Sequence, residues 1–223
     1  MDRKLLMQAL AKFTLGVLLT ALLIFVPAGT LHFWNGQLLM AALFIPMFLA
    51  GLVMLFKAPA LLRRRLNAKE RQAEQKGIIA WSGLLFAAAF VLAGLGFRFG
   101  WYMLPRRLSL VFTAVFLFGY ALFAEVLREN EYLSRTVEVQ EGQRVVDTGL
   151  YGVVRHPMYL ATLLMFLSMP LILGSLYAFA VMLGYLPIIV VRIRGEEALL
   201  ERELQGYSAY KEKVRYRLIP MIW

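Results

Sequence analysis

The sequence contains no cysteine, only two histidines and few charged residues, which make up 17% of its 223 residues. Without cysteine the chain has no disulfide, no thiolate metal ligand and no cysteine nucleophile. Two histidines are too few for the usual nitrogen-rich metal cages, so no metal centre is expected. Ordinary globular domains carry about 25% charged residues. The scarcity of charge therefore argues against a soluble domain.

Hydrophobic residues make up 61% of the chain instead, and they are concentrated in long apolar runs. The runs lie at residues 10–31, 38–56, 78–97, 108–127, 158–173 and 176–191. Inside a bilayer each backbone polar group needs an internal partner, which a single run obtains only as a helix. The sequence therefore predicts an all-α fold, a multi-pass membrane bundle of five to six spans. The last two runs are short and meet at Gly174-Ser175, so we expect a hairpin that crosses incompletely or lies tilted.

Basic residues separate strongly between the two ends of these runs. With six crossings, 21 of the 24 Lys and Arg residues and all 14 acidic residues fall on one side, together with both termini. Only Arg98, Arg106 and Arg107 fall on the other side. The positive-inside rule places the crowded side in the cytosol. We therefore expect a protein of a bacterial inner membrane, whose net charge of +10 reports topology and contact with membrane lipids, not nucleic acid.

The two parts of the chain differ in the chemistry that they carry. Residues 1–107 are expected to form three membrane helices and a basic cytosolic loop, and residues 108–223 a membrane core with a C-terminal interfacial helix. The segment 128–157 is too long for a simple connector, and it predicts a small hairpin with strands at residues 136–140 and 143–146 and a turn at Glu141-Gly142. Because the far-side loops are short, we expect a cofactor pocket at the cytosolic face, built from the C-terminal half.

Arg155-His156-Pro157 stands where this cytosolic segment becomes the fifth apolar run. Proline is favoured in the first turn of a helix, so Pro157 predicts the helix start. A helix N-terminus, a guanidinium and an imidazole together suit a carboxylate or a phosphate. Arg155 and His156 are therefore candidate ligand-binding residues. The alternative is structural, with an arginine at a membrane boundary and a histidine at a helix interface.

A charged helical pattern follows the last apolar run. Arg192 and Glu196 are four residues apart and share one helix face. Glu197 and Glu201 form an unfavourable pair of like charges unless a partner neutralises one of them. The acids at positions 196 and 197 either pair with basic neighbours or hold the ammonium or hydroxyl groups of a ligand.

Several motifs in the second half occur together in a fixed order. They are Gly149-Leu-Tyr151-x-x-x-Arg155-His156-Pro157-x-Tyr159, Arg192-x-x-x-Glu196-Glu197, Gly206-Tyr207-x-x-Tyr210 and Val214-Arg-Tyr-Arg-Leu-Ile-Pro220. This ordered set, over roughly residues 125–223, resembles the isoprenylcysteine carboxyl methyltransferase family and its phospholipid methyltransferase relatives. The resemblance implies an integral membrane enzyme that transfers a methyl group from S-adenosylmethionine.

The resemblance also implies roles for individual residues. Arg192 corresponds to the arginine that serves the methyl-accepting substrate. The stretch at residues 143–146 is expected to touch the cofactor through its backbone. The implied cofactor-binding residues are Gln143, Arg144, Val145, Val146, Tyr151, His156, Pro157, Met158, Tyr159 and Glu196.

The residue chemistry fits such a cofactor. S-adenosylmethionine carries a carboxylate for Arg155 and His156, an ammonium and a ribose diol for a glutamate, and an adenine that Tyr151 could cover. A carboxylate acceptor needs a cation to position it, for which Arg192 is the candidate, but it needs no general base.

An amine acceptor would instead need a proton sink, and Glu197 is the candidate for that catalytic role, with Glu125 as the second choice. Glu125 and Asn130 lie at the cytosolic end of the fourth run, where a structural role is the favoured interpretation. Asn130 is also a candidate substrate contact. The acceptor itself is expected to be a lipophilic or lipidated molecule that enters from the bilayer.

Two other functions fit parts of the sequence. Membrane sterol reductases that use NADPH share a similar Arg-His-Pro-x-Tyr stretch, but they tend to have an Asp, a Cys and a Lys-Tyr-Gly run where this chain has Glu196-Glu197 and Gln205-Gly206-Tyr207. A non-enzymatic transport or scaffold protein is the second alternative. A transporter is expected to have charged or broken helices near the membrane midplane, and these runs are almost free of charge.

Overall fold

The computed structural model describes residues 3–66, 73–130, 132–133 and 139–223. Within these residues the chain forms nine α-helices and one 3-10 turn, at Gly149–Gly152. The helices are α1 Arg3–Ala28, α2 Trp34–Lys57, α3 Pro59–Leu66, α4 Ala73–Arg98, α5 Arg106–Glu129, α6 Pro157–Ile172, α7 Leu176–Met182, α8 Tyr185–Glu203 and α9 Tyr207–Lys213. The all-α prediction is confirmed for the part of the chain described.

Within the described part of the chain, five segments are long and apolar enough to cross a membrane. Four of them lie in α1, α2, α4 and α5, and the fifth is the consecutive pair α7 and α8, Leu176–Glu203. Helix α6 has 16 residues, or about 24 Å at 1.5 Å per residue, against a hydrocarbon thickness of about 30 Å. The prediction of five to six spans is confirmed, and the protein is an integral membrane protein.

The hairpin turn predicted at Gly174-Ser175 is present between α6 and α7. Gly174 has φ +78°, a conformation that favours glycine, and the Ser175 hydroxyl caps α7 by accepting a hydrogen bond from a first-turn N–H. Two further hydrogen bonds cover this end of the hairpin. Leu104 N donates to Gly174 O, and Asn35 Nδ2 donates to Ile172 O, both at 2.8 Å.

One hydrophobic core joins the N-terminal helices to the C-terminal ones. It includes Ile24 from α1, Phe116 from α5 and Ile189 from α8. Helices α5 and α6 are in close contact, and Gly119 permits this because a Cβ there would lie 2.8 Å from a side-chain carbon on α6. The division of the chain near residue 107 stays a prediction, and the two parts share this core.

The segment after α5 contains the turn predicted at Glu141-Gly142. Gly142 has φ +71°, and Gln143 N donates to Gln140 O at 3.0 Å. Residues 143–146 do not form the predicted strand, and the Gln140 N–H donates to the side-chain oxygen of Gln143 at 2.9 Å. Residues 136–138, most of the first predicted strand, lie outside the described residues.

Residues 214–223, which we call the C-terminal tail, fold back onto the start of α6. Arg155 N donates to Tyr216 O at 2.9 Å, and His156 N donates to Arg217 O at 2.8 Å. Leu218 is buried in the main core. The tail is therefore part of the framework that surrounds His156, in addition to the membrane-surface anchor that its composition predicts.

Candidate active site

A cavity lies where the end of α5, the start of α6 and the second half of α8 meet. The empty space within it, which includes solvent at its open mouth, is about 860 Å³. All of its lining residues lie between Asn130 and Tyr210. The C-terminal half of the chain therefore builds it, as the sequence predicts for the pocket.

Every predicted site residue except Pro157 and Glu197 lines this cavity. Those that line it are Asn130, Gln143, Arg144, Val145, Val146, Tyr151, Arg155, His156, Met158, Tyr159, Arg192 and Glu196. Pro157 is the first residue of α6, which confirms the predicted helix start. Glu197 is buried in the protein, with 3% of its surface exposed. The roles of all these residues toward a ligand stay predictions.

Tyr159 connects α6 to α8 inside the cavity. Its hydroxyl donates to Glu196 Oε2 at 2.6 Å and accepts a hydrogen bond from Arg192 Nε at 3.3 Å. The prediction that residues 192 and 196 share one helix face is confirmed, because both reach the same hydroxyl. A carboxylate and a guanidinium are thus held side by side, which suits a ligand with charges of both signs.

Glu197 holds three cationic or ionisable side chains beneath the cavity. Its Oε1 accepts a hydrogen bond from Arg155 Nε at 2.8 Å and lies 3.2 Å from His156 Nε2. Its Oε2 accepts one from Arg217 Nε at 2.8 Å. The like-charge pair of Glu197 and Glu201 requires a partner that neutralises one of the two acids. Glu197 has such partners, and they come from the start of α6 and from the C-terminal tail.

Arg155 is engaged with the tail backbone as well. Its Nη1 donates to Val214 O at 2.7 Å and to Arg215 O at 2.8 Å. Together with Glu197, these acceptors use three N–H groups of the guanidinium. The geometry gives Arg155 a clear structural function, and a direct contact with a ligand carboxylate stays a prediction.

Tyr151 is set in the cavity wall by the end of α5. Asn130 Nδ2 donates to the Tyr151 hydroxyl at 3.0 Å, and the Glu129 carboxylate accepts from Leu150 N at 2.9 Å. Gly149 makes this possible, because it has φ +52° and a Cβ on it would collide with Glu129. The Asn130 side chain, a candidate substrate contact, thus also orients an aromatic ring.

The opposite wall is apolar and aromatic. Leu204, Tyr207 and Tyr210 form a buried cluster with Val145 and Leu200 packed against it, and all five line the cavity. Tyr210 donates its hydroxyl hydrogen to the backbone oxygen of residue 151 at 2.8 Å. Among the described residues, the Tyr207 hydroxyl is the buried side-chain polar atom that lacks a hydrogen-bond partner.

Three tyrosines of this cavity remain neutral over the working pH range. Burial raises the pKa values of Tyr151, Tyr207 and Tyr210 well above the ordinary phenol value. For Tyr207 the neighbouring carboxylates of Glu196 and Glu197 add to this effect. Each phenol therefore keeps its hydrogen near neutral pH, and the hydrogen of Tyr210 is already donated to the backbone of residue 151.

Positive charge exceeds negative charge in the cavity lining. Arg144, Arg155 and Arg192 line it, against Glu196 as the acidic residue among the described lining residues. Since Glu197 neutralises Arg155 from behind, the excess is carried by the other two arginines. Such a lining attracts ligands that carry a carboxylate.

Sequence reasoning missed part of this lining. The additional residues are Tyr132, Leu133, Leu199, Leu200, Leu204, Tyr207 and Tyr210. The two tyrosines of Gly206-Tyr207-x-x-Tyr210 belong to a motif that the sequence singles out, but the motif alone gives them no role. Leu199 and Leu200 lie on α8 and Leu204 follows its last residue, in the spacing of ordinary core residues, so no local signal separates them from packing.

Residues 108–205 match the family model described as phospholipid methyltransferase. The match covers somewhat less than half of the chain. It confirms the resemblance drawn from the motifs, and it covers α6, α7, α8 and nearly all of α5 with the cavity residues that they carry. The matched residues lie within the membrane bundle.

The name of one relative describes a different activity. The mouse Delta(14)-sterol reductase TM7SF2 is 32% identical over 91 residues, which are 40% of this chain and 22% of that protein. The match thus spans about a fifth of the relative's length.

Proposed function

We propose that this protein is a membrane methyltransferase that uses S-adenosylmethionine and methylates a carboxylate on a lipophilic acceptor. The observation that carries the proposal is the Tyr159, Glu196 and Arg192 arrangement, inside a cavity of a phospholipid methyltransferase-family domain. We also propose that the cavity faces the cytosol, because the basic residues are concentrated at this end of the bundle. The host membrane stays a prediction.

The residues that line the cavity fit S-adenosylmethionine. Glu196 would hold the ammonium or the ribose hydroxyls, and the Tyr151 ring would cover a flat group. The unpartnered Tyr207 hydroxyl provides a polar contact that a ligand can complete. His156, Met158 and the backbone of residues 143–146 would complete the wall around the cofactor. When bound, this cofactor supplies a methyl group attached to a cationic sulfonium.

Arg192 would hold the acceptor. A guanidinium binds a carboxylate in a defined orientation, and an ionised carboxylate needs no base to become a nucleophile. The task of the protein is then to align the acceptor and to exclude water. The cavity meets both needs, with a fixed cation at one side and aromatic and aliphatic walls around it.

A carboxylate acceptor is favoured over an amine by the positions of the acids. Glu197 and Glu125, the two candidate proton sinks, do not line the cavity. Glu197 is held by Arg155 and Arg217, and Glu125 forms an exposed ion pair with Arg128. A carboxylic acid such as a prenylcysteine analogue therefore fits better than a lipid amine, although the matching family is named for phospholipids.

A reductase that uses NADPH is the second candidate, and the partial identity to the sterol reductase favours it. NADPH brings a diphosphate and a further phosphate, which require several free cations. Arg155 is already bonded to Glu197 and to two backbone oxygens. The lining is better matched to a zwitterion.

A binding comparison separates the two candidates. The full-length protein in lipid nanodiscs is titrated with S-adenosylhomocysteine, the stable product form of the proposed cofactor, and separately with NADPH. We expect saturable binding of S-adenosylhomocysteine and weaker binding of NADPH. Tight binding of NADPH without binding of S-adenosylhomocysteine would overturn the proposal in favour of the reductase.

A further inference from the structure

Tyr207 stands out among the tyrosines of the cavity. The hydroxyls of Tyr151, Tyr159 and Tyr210 each have a hydrogen-bond partner within the protein. The Tyr207 side chain is 4% exposed, and its hydroxyl has none among the described residues. A buried hydroxyl without a partner is unfavourable, so the position is best explained by a partner that arrives with a ligand.

The surroundings of Tyr207 indicate which part of a ligand that partner belongs to. Tyr207 shares a buried cluster with Leu204, against which Val145 and Leu200 pack, and these residues form an apolar side of the cavity. The cationic and anionic groups of Arg192 and Glu196 are joined through Tyr159 instead. The ligand part that fits this apolar side is a flat ring with apolar faces and a hydrogen-bonding edge.

The backbone holds this wall in position. Gly206, between α8 and α9, has φ +86°, a value that favours glycine. This turn brings α9 back against the cavity. Gly206 lies next to Val145, because a Cβ added to Gly206 would be 3.9 Å from Val145 Cγ2. Tyr210, one turn further along α9, ties the helix to the backbone of residue 151.

We propose that Tyr207 donates a hydrogen bond to the purine base of a nucleoside cofactor, and that the base lies in the cavity against the wall that α9 and Val145 form. A phenol can donate to a ring nitrogen, and the leucines and the valine can cover the faces of the base. The inference rests on the proposed function, because it assumes that the cofactor contains a nucleoside. It adds a binding residue and the location of the base.

The test uses the full-length protein in nanodiscs and two probes. One probe is S-adenosylhomocysteine, and the other is 5'-methylthioadenosine, which has the nucleoside but no amino-acid group. Tyr207→Phe should weaken the binding of both probes by a similar factor, about 3- to 10-fold for one neutral hydrogen bond. The thermal midpoint of the ligand-free protein should stay the same or rise, because a hydroxyl without a partner has been removed.

Two matched tyrosine variants serve as controls. Tyr102→Phe changes an exposed tyrosine at the opposite end of the bundle, 62% accessible to solvent, and should alter neither affinity nor thermal midpoint. Tyr210→Phe removes a hydroxyl that already has a partner, so it should lower the thermal midpoint.

Several results would overturn the inference. These are equal affinity of the wild type and Tyr207→Phe, a loss confined to S-adenosylhomocysteine, and a loss that accompanies a lower thermal midpoint. The second result would assign Tyr207 to the amino-acid part of the ligand, and the third to packing. If the wild type binds neither probe, the proposed function itself fails, and the base site fails with it.

Discussion

The Tyr159 hydroxyl donates to Glu196 Oε2 at 2.6 Å and thereby joins helix α6 to helix α8 inside the cavity. Arg192 reaches the same hydroxyl from one turn earlier on α8. Two groups of opposite charge are held a few ångströms apart by one phenol. The first two predictions separate the tasks of these two groups.

Glu196 is predicted to bind the cofactor. Glu196→Ala should weaken S-adenosylhomocysteine binding by about 10-fold or more, since hydrogen bonds to a charged group are worth about 1.5–3 kcal/mol. Calorimetric titration in nanodiscs measures the change. Glu203→Ala, an exposed acid on the same helix, is the control and should bind normally. Unchanged affinity in Glu196→Ala would remove this residue from the cofactor site.

Arg192 is predicted to position the acceptor. Arg192→Ala should retain S-adenosylhomocysteine binding and lose methyl transfer, because it removes the cation that orients the acceptor carboxylate. Arg194→Ala, an exposed arginine two residues away, should keep both properties. If Arg192→Ala loses cofactor binding together with turnover, Arg192 belongs to the cofactor site instead.

Glu197 is predicted to stabilise the fold. Glu197→Gln should lower the unfolding free energy by about 3–5 kcal/mol, because it leaves the buried guanidinium of Arg155 without its counter-charge. The C-terminal tail should also become more accessible to trypsin. Thermal unfolding and limited proteolysis measure these effects.

A matched acid on the same helix serves as the control for Glu197. Glu201 forms a partly exposed ion pair with Lys211, so Glu201→Gln should cost less than about 1 kcal/mol. A Glu197→Gln variant with normal stability and a normal tail, but slow methyl transfer, would instead support the catalytic role that the sequence suggested.

Gly149 is predicted to be indispensable for the placement of Tyr151. Gly149→Ala should destabilise the protein by more than about 1 kcal/mol, because it adds a Cβ at φ +52° and a collision with Glu129. S-adenosylhomocysteine affinity should fall with it. Gly142 also has a positive φ, but no atom of the described residues lies within 4 Å of a Cβ added there, so Gly142→Ala should show the backbone cost alone. Equal losses of stability and of S-adenosylhomocysteine affinity in the two variants would contradict the role given to Glu129.

The helices could be predicted from the sequence because lipid imposes a simple rule on each apolar run. Pro157 also marked the start of α6 correctly, since its ring suits a first turn. The polar residues of the cavity could be predicted because their motifs occur together in a fixed order along the chain. Tyr159 belongs to one motif and Arg192 and Glu196 belong to another, and the fold brings them together.

The neighbours of Glu197 could not be predicted in the same way. The like-charge spacing to Glu201 indicated that a partner was needed, but the C-terminal part of the chain offers several cations, and sequence spacing does not select Arg217. The docking of the tail depends on backbone hydrogen bonds of Arg155 and His156. Backbone bonds of this kind carry no side-chain signature.

The most direct test of the central proposal is transfer of a labelled methyl group. The protein in nanodiscs is incubated with methyl-labelled S-adenosylmethionine and with prenylcysteine analogues, other hydrophobic acids and lipid amines. We predict that label appears in a hydrophobic acid as a methyl ester, which base releases as methanol, and that Arg192→Ala abolishes it. Label found only in base-stable methylamines, or no labelled product from any acceptor while NADPH reduces a sterol, would contradict the proposal.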